Sequence, residues 1–182
     1  MSTGVLAGIT PTVFGFMMTH VVAKREPDFI VGKESPDGIY LLRWHLTPWR
    51  NWIDMLPKER RLLRGFLRLW PNLYLHCFLR SDDDRALHDH PAAAIAWILH
   101  RGYMEHTIAA GGINHRQTFG PGSIRYMPLK HTHRVELHRS EEGTPLLSWS
   151  LFLFLPKVRE WGFHHPTRGW IHYLDWYREF GS

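Results

Sequence analysis

The chain has 182 residues, of which 44% are apolar and 14% aromatic, with nine Trp; this describes one globular domain with a sizeable core and excludes a disordered or low-complexity chain. Its 22 basic and 17 acidic residues leave a formal net charge of +5, which permits an anionic partner without requiring one, so nucleic acid is not expected. The single cysteine, Cys77, rules out an internal disulfide and suits the cytoplasm.

Residues 1–36 alternate apolar patches with breakers at Gly8, Thr10-Pro11, Gly15, Glu26-Pro27 and Ser35-Pro36, and read as an irregular N-terminal arm with a strand near Val13–Met18. The apolar run Gly4–Ala23 is interrupted by Thr10, Pro11, Thr12 and His20 and follows no basic segment, so neither a signal peptide nor a membrane span is expected. Residues 37–182 read as one domain. A strand over Gly38–Leu46 follows a Pro-Asp-Gly turn. One helix is predicted over about 57–70, with Asp54 as its cap, Pro57 in its first turn and Pro71 as its stop. Leu62, Leu63, Phe66, Leu67 and Trp70 recur at three and four to give it an apolar face. Arg60, Arg64 and Arg68 form a row on another side, read as a solvated face.

From Asn72 onward the pattern changes to short strand-like runs: 73–80, a strand carrying His88-Asp89-His90, 93–100, 102–108, the segments either side of Gly120-Pro121-Gly122, 131–137 and 146–155. Turn residues separate them at Ser81–Asp84, Pro91, Gly111-Gly112 and Glu142–Pro145. Many short strands with this punctuation predict a mainly β, antiparallel sandwich or barrel. The tail Pro156–Ser182 is rich in aromatics (Trp161, Phe163, Trp170, Trp176 among them) and should pack on the barrel or on a second copy in a homodimer.

Of the fourteen histidines, two pairs stand out. His88 and His90 lie two apart, and on a strand such residues share a face. Two imidazoles side by side on a rigid strand are half of a metal site. A second pair, His131 and His133, occurs in GPGSIRYMPLKHTHRVEL (Gly120–Leu137) and offers the third ligand.

Together these stretches resemble the paired motifs of the cupin superfamily, G-x5-H-x-H-x3,4-E-x6-G and G-x5-P-x-G-x2-H-x3-N. With His88 and His90 on the histidine pair, Gly102 falls on the closing glycine and Ile95 on the glutamate. With Gly122 opening the second motif, Pro128 falls on its proline and His133 on its histidine. Asp82, Lys130 and Leu137 depart from the first motif's opening glycine, the second motif's inner glycine and its final Asn. The resemblance implies a cupin-type jelly-roll barrel, covering about 82–137 directly, with a site made by His88, His90 and His133 and no carboxylate from that strand. His131 is the rival ligand, and the spacing from Pro128 favours His133. Three neutral nitrogens leave a divalent ion its full charge and open positions, which favours an anionic substrate or dioxygen. Three-histidine cupins include Fe(II) thiol dioxygenases; Cys77 lies upstream of the motif, so a cysteine–tyrosine crosslink is not supported. SDDDRALHDHP, HRVEL and PKVREWGF further resemble small cupin-like proteins of bacteria and phages, in which a tryptophan follows HDHP where this chain has Ala92; no activity transfers from that group.

The resemblance puts Ile95 inward, so Trp97 and Leu99, on the same face, should line the barrel with it. Tyr103, Glu105 and Arg125 are the candidate catalytic residues, although exposed strand polar positions explain Tyr103 and Glu105 better. Arg125 and Tyr126 point to opposite faces, so at most one enters the barrel, where an arginine would hold a carboxylate or phosphate. The expected function is a metal-dependent cupin, an Fe(II) oxygenase acting on a small polar or anionic molecule, with Zn, Mn or Ni as alternative ions. The rivals are a non-catalytic cupin binding a sugar or small ligand, and a phage-related interaction protein using the arginine row and the aromatic tail.

Overall fold

A computed structural model describes residues 3–180 apart from 34, 36 and 83–85. The predicted turns at Ser35-Pro36 and Ser81–Asp84 therefore lie partly outside the described residues. In chain order the elements are α1 (Thr3–Met17), a π-helical turn Met18–Val22, β1 (Phe29–Val31), β2 (Leu41–His45), α2 (Trp49–Met55), α3 (Arg61–Arg68), β3 (Asn72–Phe78) and β4 (Leu87–His88). There follow β5 (Ala94–His100), β6 (Tyr103–Ile108), β7 (Asn114–Phe119), β8 (Ile124–Met127), β9 (Arg134–Leu137), β10 (Ser148–Phe154), β11 (Gly162–His165), β12 (Gly169–His172) and α4 (Tyr173–Phe180).

The strands form a six-stranded sheet in the order β1-β2-β3-β10-β5-β8 and two three-stranded sheets, β12-β11-β4 and β7-β6-β9, with antiparallel pairing in all of them. The protein is thus mainly β, in an arrangement consistent with a jelly roll. Gly102 makes the turn into β6 with φ +95°, and a Cβ there would stand 2.1 Å from the Phe119 carbonyl oxygen, so no other residue fits without moving the backbone.

Because side chains alternate across a strand, the large sheet has two apolar faces with different partners. The inner face (Leu41, Tyr74, Phe78, Ala94, Ala96, Ile98, Phe152) meets Tyr103, Phe119, Val135 and Leu137 of the β7-β6-β9 sheet. The outer face (Trp44, Leu75, Cys77, Leu99, with Trp97, Trp149 and Leu151) is covered by Val13, Phe14, Met17 and Met18. Ile95, Trp97 and Leu99 are therefore not the barrel lining. Ala94, Ala96 and Ile98 point inward, and both inward neighbours of Ile95, Ala94 and Ala96, are equally non-ligating.

The N-terminal arm is not an irregular segment with a strand over Val13–Met18; it is helical over Thr3–Met17. Pro11 removes one backbone donor, yet the helix persists because Val13, Phe14 and Met17, each half-buried, pack against the sheet and tertiary packing outweighs local propensity. Thr10, 1% exposed, donates to the Leu6 carbonyl and accepts from Trp97 Nε1 at 3.1 Å. Gly122 lets this helix approach: a Cβ there would lie 2.9 Å from Ala7 Cα.

The single helix predicted over 57–70 is instead two, α2 and α3. Leu56 is extended (ψ 137°), as the residue before a proline tends to be, so Pro57 ends the first helix and does not open the second. Asp54 lies near the end of α2, 3.7 Å from Arg50, and does not cap α3. Arg64 donates to the carbonyls of Ile53 and Leu56 and so caps α2, which takes it out of the solvated row. Leu62, Leu63, Phe66 and Trp70 of the expected apolar face are exposed. The tail packs on the rest of the domain: its strand β11 pairs with β4, and Trp176 of α4, 1% exposed, stacks on Phe163 of that strand at 4.6 Å. No helix among the described residues is long and apolar enough to cross a membrane.

Candidate metal centre

His88 and His133 exchange backbone hydrogen bonds in both directions at 2.9 Å, an antiparallel bridge linking β4 to the chain entering β9. Residues paired this way project to one face, and period two brings His90 there as well. The ring centroids are 4.7 Å (His88–His133), 5.0 Å (His90–His133) and 5.2 Å (His88–His90) apart. One ring nitrogen from each lies within 4.8 Å of the others. The nearest approach is 2.8 Å, between His90 Nε2 and His133 Nε2.

Asp89, between the two histidines, points the other way. It is 2% exposed and accepts from Gly162 N (2.9 Å), Arg159 Nη1 (2.7 Å), Trp170 Nε1 (3.1 Å) and His164 Nε2 (3.2 Å). This carboxylate ties the histidine segment to the β11–β12 hairpin, which explains why an aromatic tail is folded down beside the site.

Carboxylates also set the imidazoles. Glu105 Oε1 lies 2.6 Å from His133 Nδ1, and Asp82 Oδ2 lies 3.5 Å from His88 Nδ1. A carboxylate on Nδ1 favours the proton there and leaves the Nε2 lone pair free for an ion. Asp82 also accepts from Val135 N at 2.7 Å, so the residue that replaces the motif's opening glycine anchors β9 and faces His88. Burial pushes His88 down to about 4 and His90 well below the usual histidine range, with the neighbouring histidines adding to the effect on His90. Both are neutral at pH 7, the form that ligates. Neutral nitrogens on one face, two of them oriented from behind by carboxylates, fit a divalent ion.

A second group shares His133. Glu105, 2% exposed, also approaches His131 Nε2 at 3.0 Å and accepts from Arg125 Nε at 2.8 Å. Arg125 Nη2 stands 2.7 Å from His131 Nε2. Burial alone would raise the Glu105 carboxyl, but the hydrogen bonds from His131, His133 and Arg125 outweigh it and hold the group well below the usual carboxylate range. Glu105, His131 and His133 could also bring ligand atoms around one point. Glu105 is thus a buried hub and not the exposed strand residue that its position allows. Arg125 does enter the barrel while Tyr126 is exposed, yet its Nε is engaged by Glu105. Tyr103, 3% exposed, packs edge-on to Phe78, and burial raises its hydroxyl above the usual phenol range.

The site opens into a cavity of about 710 Å³ lined by His88, His90, His133, Phe152, Phe154 and Trp161, with Arg43, His76 and Ser150 further along its wall. That volume is in the range of small-molecule sites. Asp82, Asp89, Arg43, His76 and Ser150 were not among the expected site residues; the only signal for Asp89 was its place between two histidines.

No family model matches the sequence, and no curated protein matches it. Among solved structures the chain is similar to a recombinant oxalate oxidase in complex with glycolate (13% identity, 80% of this chain and 67% of that one, TM-score 0.46). It is also similar to oxalate decarboxylase from Bacillus subtilis (12%, 77% and 30%, TM-score 0.44) and to the DMSP lyase DddQ from Ruegeria pomeroyi DSS-3 (24%, 47% and 38%, TM-score 0.32). The chain spans 30% of the decarboxylase and 38% of the lyase. These neighbours are cupin-fold proteins, the fold that the two histidine motifs resemble.

Proposed function

We propose that the protein is a metal-dependent cupin enzyme, an Fe(II) oxygenase for a small polar or anionic molecule, with His88, His90 and His133 as the ligands. The observation that carries this reading is the convergence of three ring nitrogens at the wall of a cavity of about 710 Å³, two of the rings backed by carboxylates. An Fe(II) ion held by three neutral imidazoles supplies redox chemistry with dioxygen and keeps its full positive charge for an anionic substrate.

The chain's own residues prepare that chemistry. Glu105 and Asp82 fix the Nδ1 protons of His133 and His88 and so aim the Nε2 atoms. Arg125 neutralises Glu105, which leaves the carboxylate ionised in a buried place. Phe152 and Phe154, 6.2 Å from the His90 ring, restrict water on one side of the histidines. His131 contacts Arg125 and Glu105 and belongs to the second group around Glu105, not to the His88–His90–His133 group.

The test is anaerobic purification followed by mass-spectrometric metal analysis of the wild type and His133→Ala. One equivalent of metal in the wild type, reduced to below about a tenth in the variant, supports the site; an absence of metal in both after Fe(II) loading sinks it. Oxygen uptake on addition of thiols, keto acids or sugars then separates an oxygenase from a cupin that only binds.

A further inference from the structure

The inner face of the six-stranded sheet carries a polar rung among mainly apolar neighbours, with buried Ser148 of β10 one rung along. Arg43 of β2 pairs with His76 of β3, and His76 pairs with Ser150 of β10, so the three side chains stand next to one another across three strands. Above and below them on the same face are Leu41, Tyr74, Phe78 and Phe152. All three rung residues line the cavity that the histidines open into.

Their hydrogen bonding is incomplete. Arg43 Nε donates to His76 Nε2 at 2.8 Å, which leaves His76 Nδ1 without a partner although the residue is only 2% exposed. Ser150 Oγ is likewise buried, the residue 1% exposed, and has no partner among the described residues. Among the described residues no carboxylate pairs with Arg43. Its guanidinium lies over Tyr74 at 4.7 Å and Phe29 at 5.7 Å, so its faces are covered while its Nη edge remains for in-plane hydrogen bonds. Buried polar groups in folded proteins are ordinarily satisfied, and Arg43 beside them is half-buried. Here a cation, an imidazole NH or lone pair and a hydroxyl converge in a cavity large enough for a ligand. Burial pulls the Arg43 guanidinium below its usual range, and an anion beside it would reverse that pull.

We propose that Arg43, His76 and Ser150 form a carboxylate-binding subsite, which holds the head of an amphipathic monocarboxylic acid while its apolar chain lies along Phe152 and Phe154 towards His90. The spacing is continuous: Phe152 stacks on His76 at 4.8 Å and stands 6.2 Å from His90, so one aromatic ring separates the rung from the histidines. A planar carboxylate matches the guanidinium edge with two parallel hydrogen bonds, and its single charge balances the single charge of the rung. The subsite itself stands without a metal; only the statement that the far end of the acid is where reaction occurs rests on the function proposed above.

Calorimetric titration with hexanoate, 1-hexanol and hexyl phosphate, on metal-loaded and metal-free protein, tests this. Hexanoate should bind both forms, and at least about tenfold more tightly than 1-hexanol, because the charge-assisted bonds are absent from the alcohol. Arg43→Met should weaken hexanoate at least about thirtyfold, and Ser150→Ala by about three- to tenfold. His90→Ala, in the metal-free state, should leave the affinity within about threefold. If Arg43→Met does not fold, Ser150→Ala decides, and an unchanged hexanoate affinity overturns the subsite. Binding that survives Arg43→Met but disappears on metal removal or in His90→Ala also overturns it, as does failure of hexanoate to bind the wild type. Tighter binding of hexyl phosphate than of hexanoate overturns the carboxylate assignment. Metal content, measured on the same samples, reports on the histidine site separately, so either reading can fail alone.

Discussion

The two faces of the six-stranded sheet are built from the same strands and the same alternation, yet they finish their polar groups differently. On the outer face, under α1, the buried hydroxyl of Thr10 both donates and accepts, and the surrounding side chains are Trp44, Leu75, Leu99 and Trp149. On the inner face His76 Nδ1 and Ser150 Oγ have no partner, and the neighbouring cavity stays open. A protein optimised only for stability would treat both faces like the outer one. The contrast assigns stability to one side of each strand and chemistry to the other.

The largest expected effect is on the outer face. Burial pushes the Cys77 thiol up to about 12, so at pH 8 its thiolate fraction is on the order of a thousandfold below that of an ordinary thiol. Native protein should resist iodoacetamide and react when denatured; a native rate within tenfold of the denatured rate would break the contrast. The sign for stability follows from which form is favoured. The folded state holds the proton more tightly, so this contribution is complete below the ordinary thiol pKa and is lost as pH rises through about 12. Leu75→Ala comes next: the side chain is fully buried under α1, and its removal should cost about 2–5 kcal/mol in denaturant unfolding. Metal content should not change, because no histidine of the site touches that face.

A third change falls between the faces in size. Glu105→Gln keeps the shape but removes the charge that faces His133, His131 and Arg125. Metal affinity should fall about ten- to a hundredfold, the range for a carboxylate that orients a ligating histidine. Unchanged affinity in a competition assay with a chelator would mean that Glu105 serves folding alone.

The meeting of the histidines was legible because two residues on one face of a strand have to be two apart. His88, His90 and His133 meet as the spacing of the two motifs implies, and the tail folds over them. The face of β5 was not legible, because both of its faces are covered: Trp97 and Leu99 look like core and belong to a core, but that of the layer beneath α1. Alternation reveals direction only when one face is wet. The arm misled for a related reason, since Gly8, Pro11 and Gly15 are local breakers overridden by a long-range burial that no window of the sequence contains. Arg43, His76 and Ser150 each lie at least 33 residues from the next along the chain, so only strand register brings them into one rung. Asp89 shows the opposite case, where the residue hidden between two expected ligands is the one that fastens the tail.

The smallest effect is the sharpest test of the comparison between faces. Ser150 is as buried as Leu75, and by size alone its replacement by Ala removes one oxygen atom from a packed wall. A hydroxyl that makes a hydrogen bond would contribute about 1 kcal/mol, and its loss would show as a lower unfolding midpoint. Ser150 Oγ makes none, so Ser150→Ala should leave stability within about 0.5 kcal/mol or raise it, by relieving the desolvation of an unpaired polar atom. Thr10→Val on the other side removes a hydroxyl that bridges Leu6 and Trp97, leaves the Trp97 Nε1 donor unmatched and should lower stability by about 1–3 kcal/mol. Denaturant unfolding of the two variants side by side reads the difference directly. Equal losses would mean that the inner hydroxyl is held by the fold after all, and that the unsatisfied rung is not reserved for a ligand.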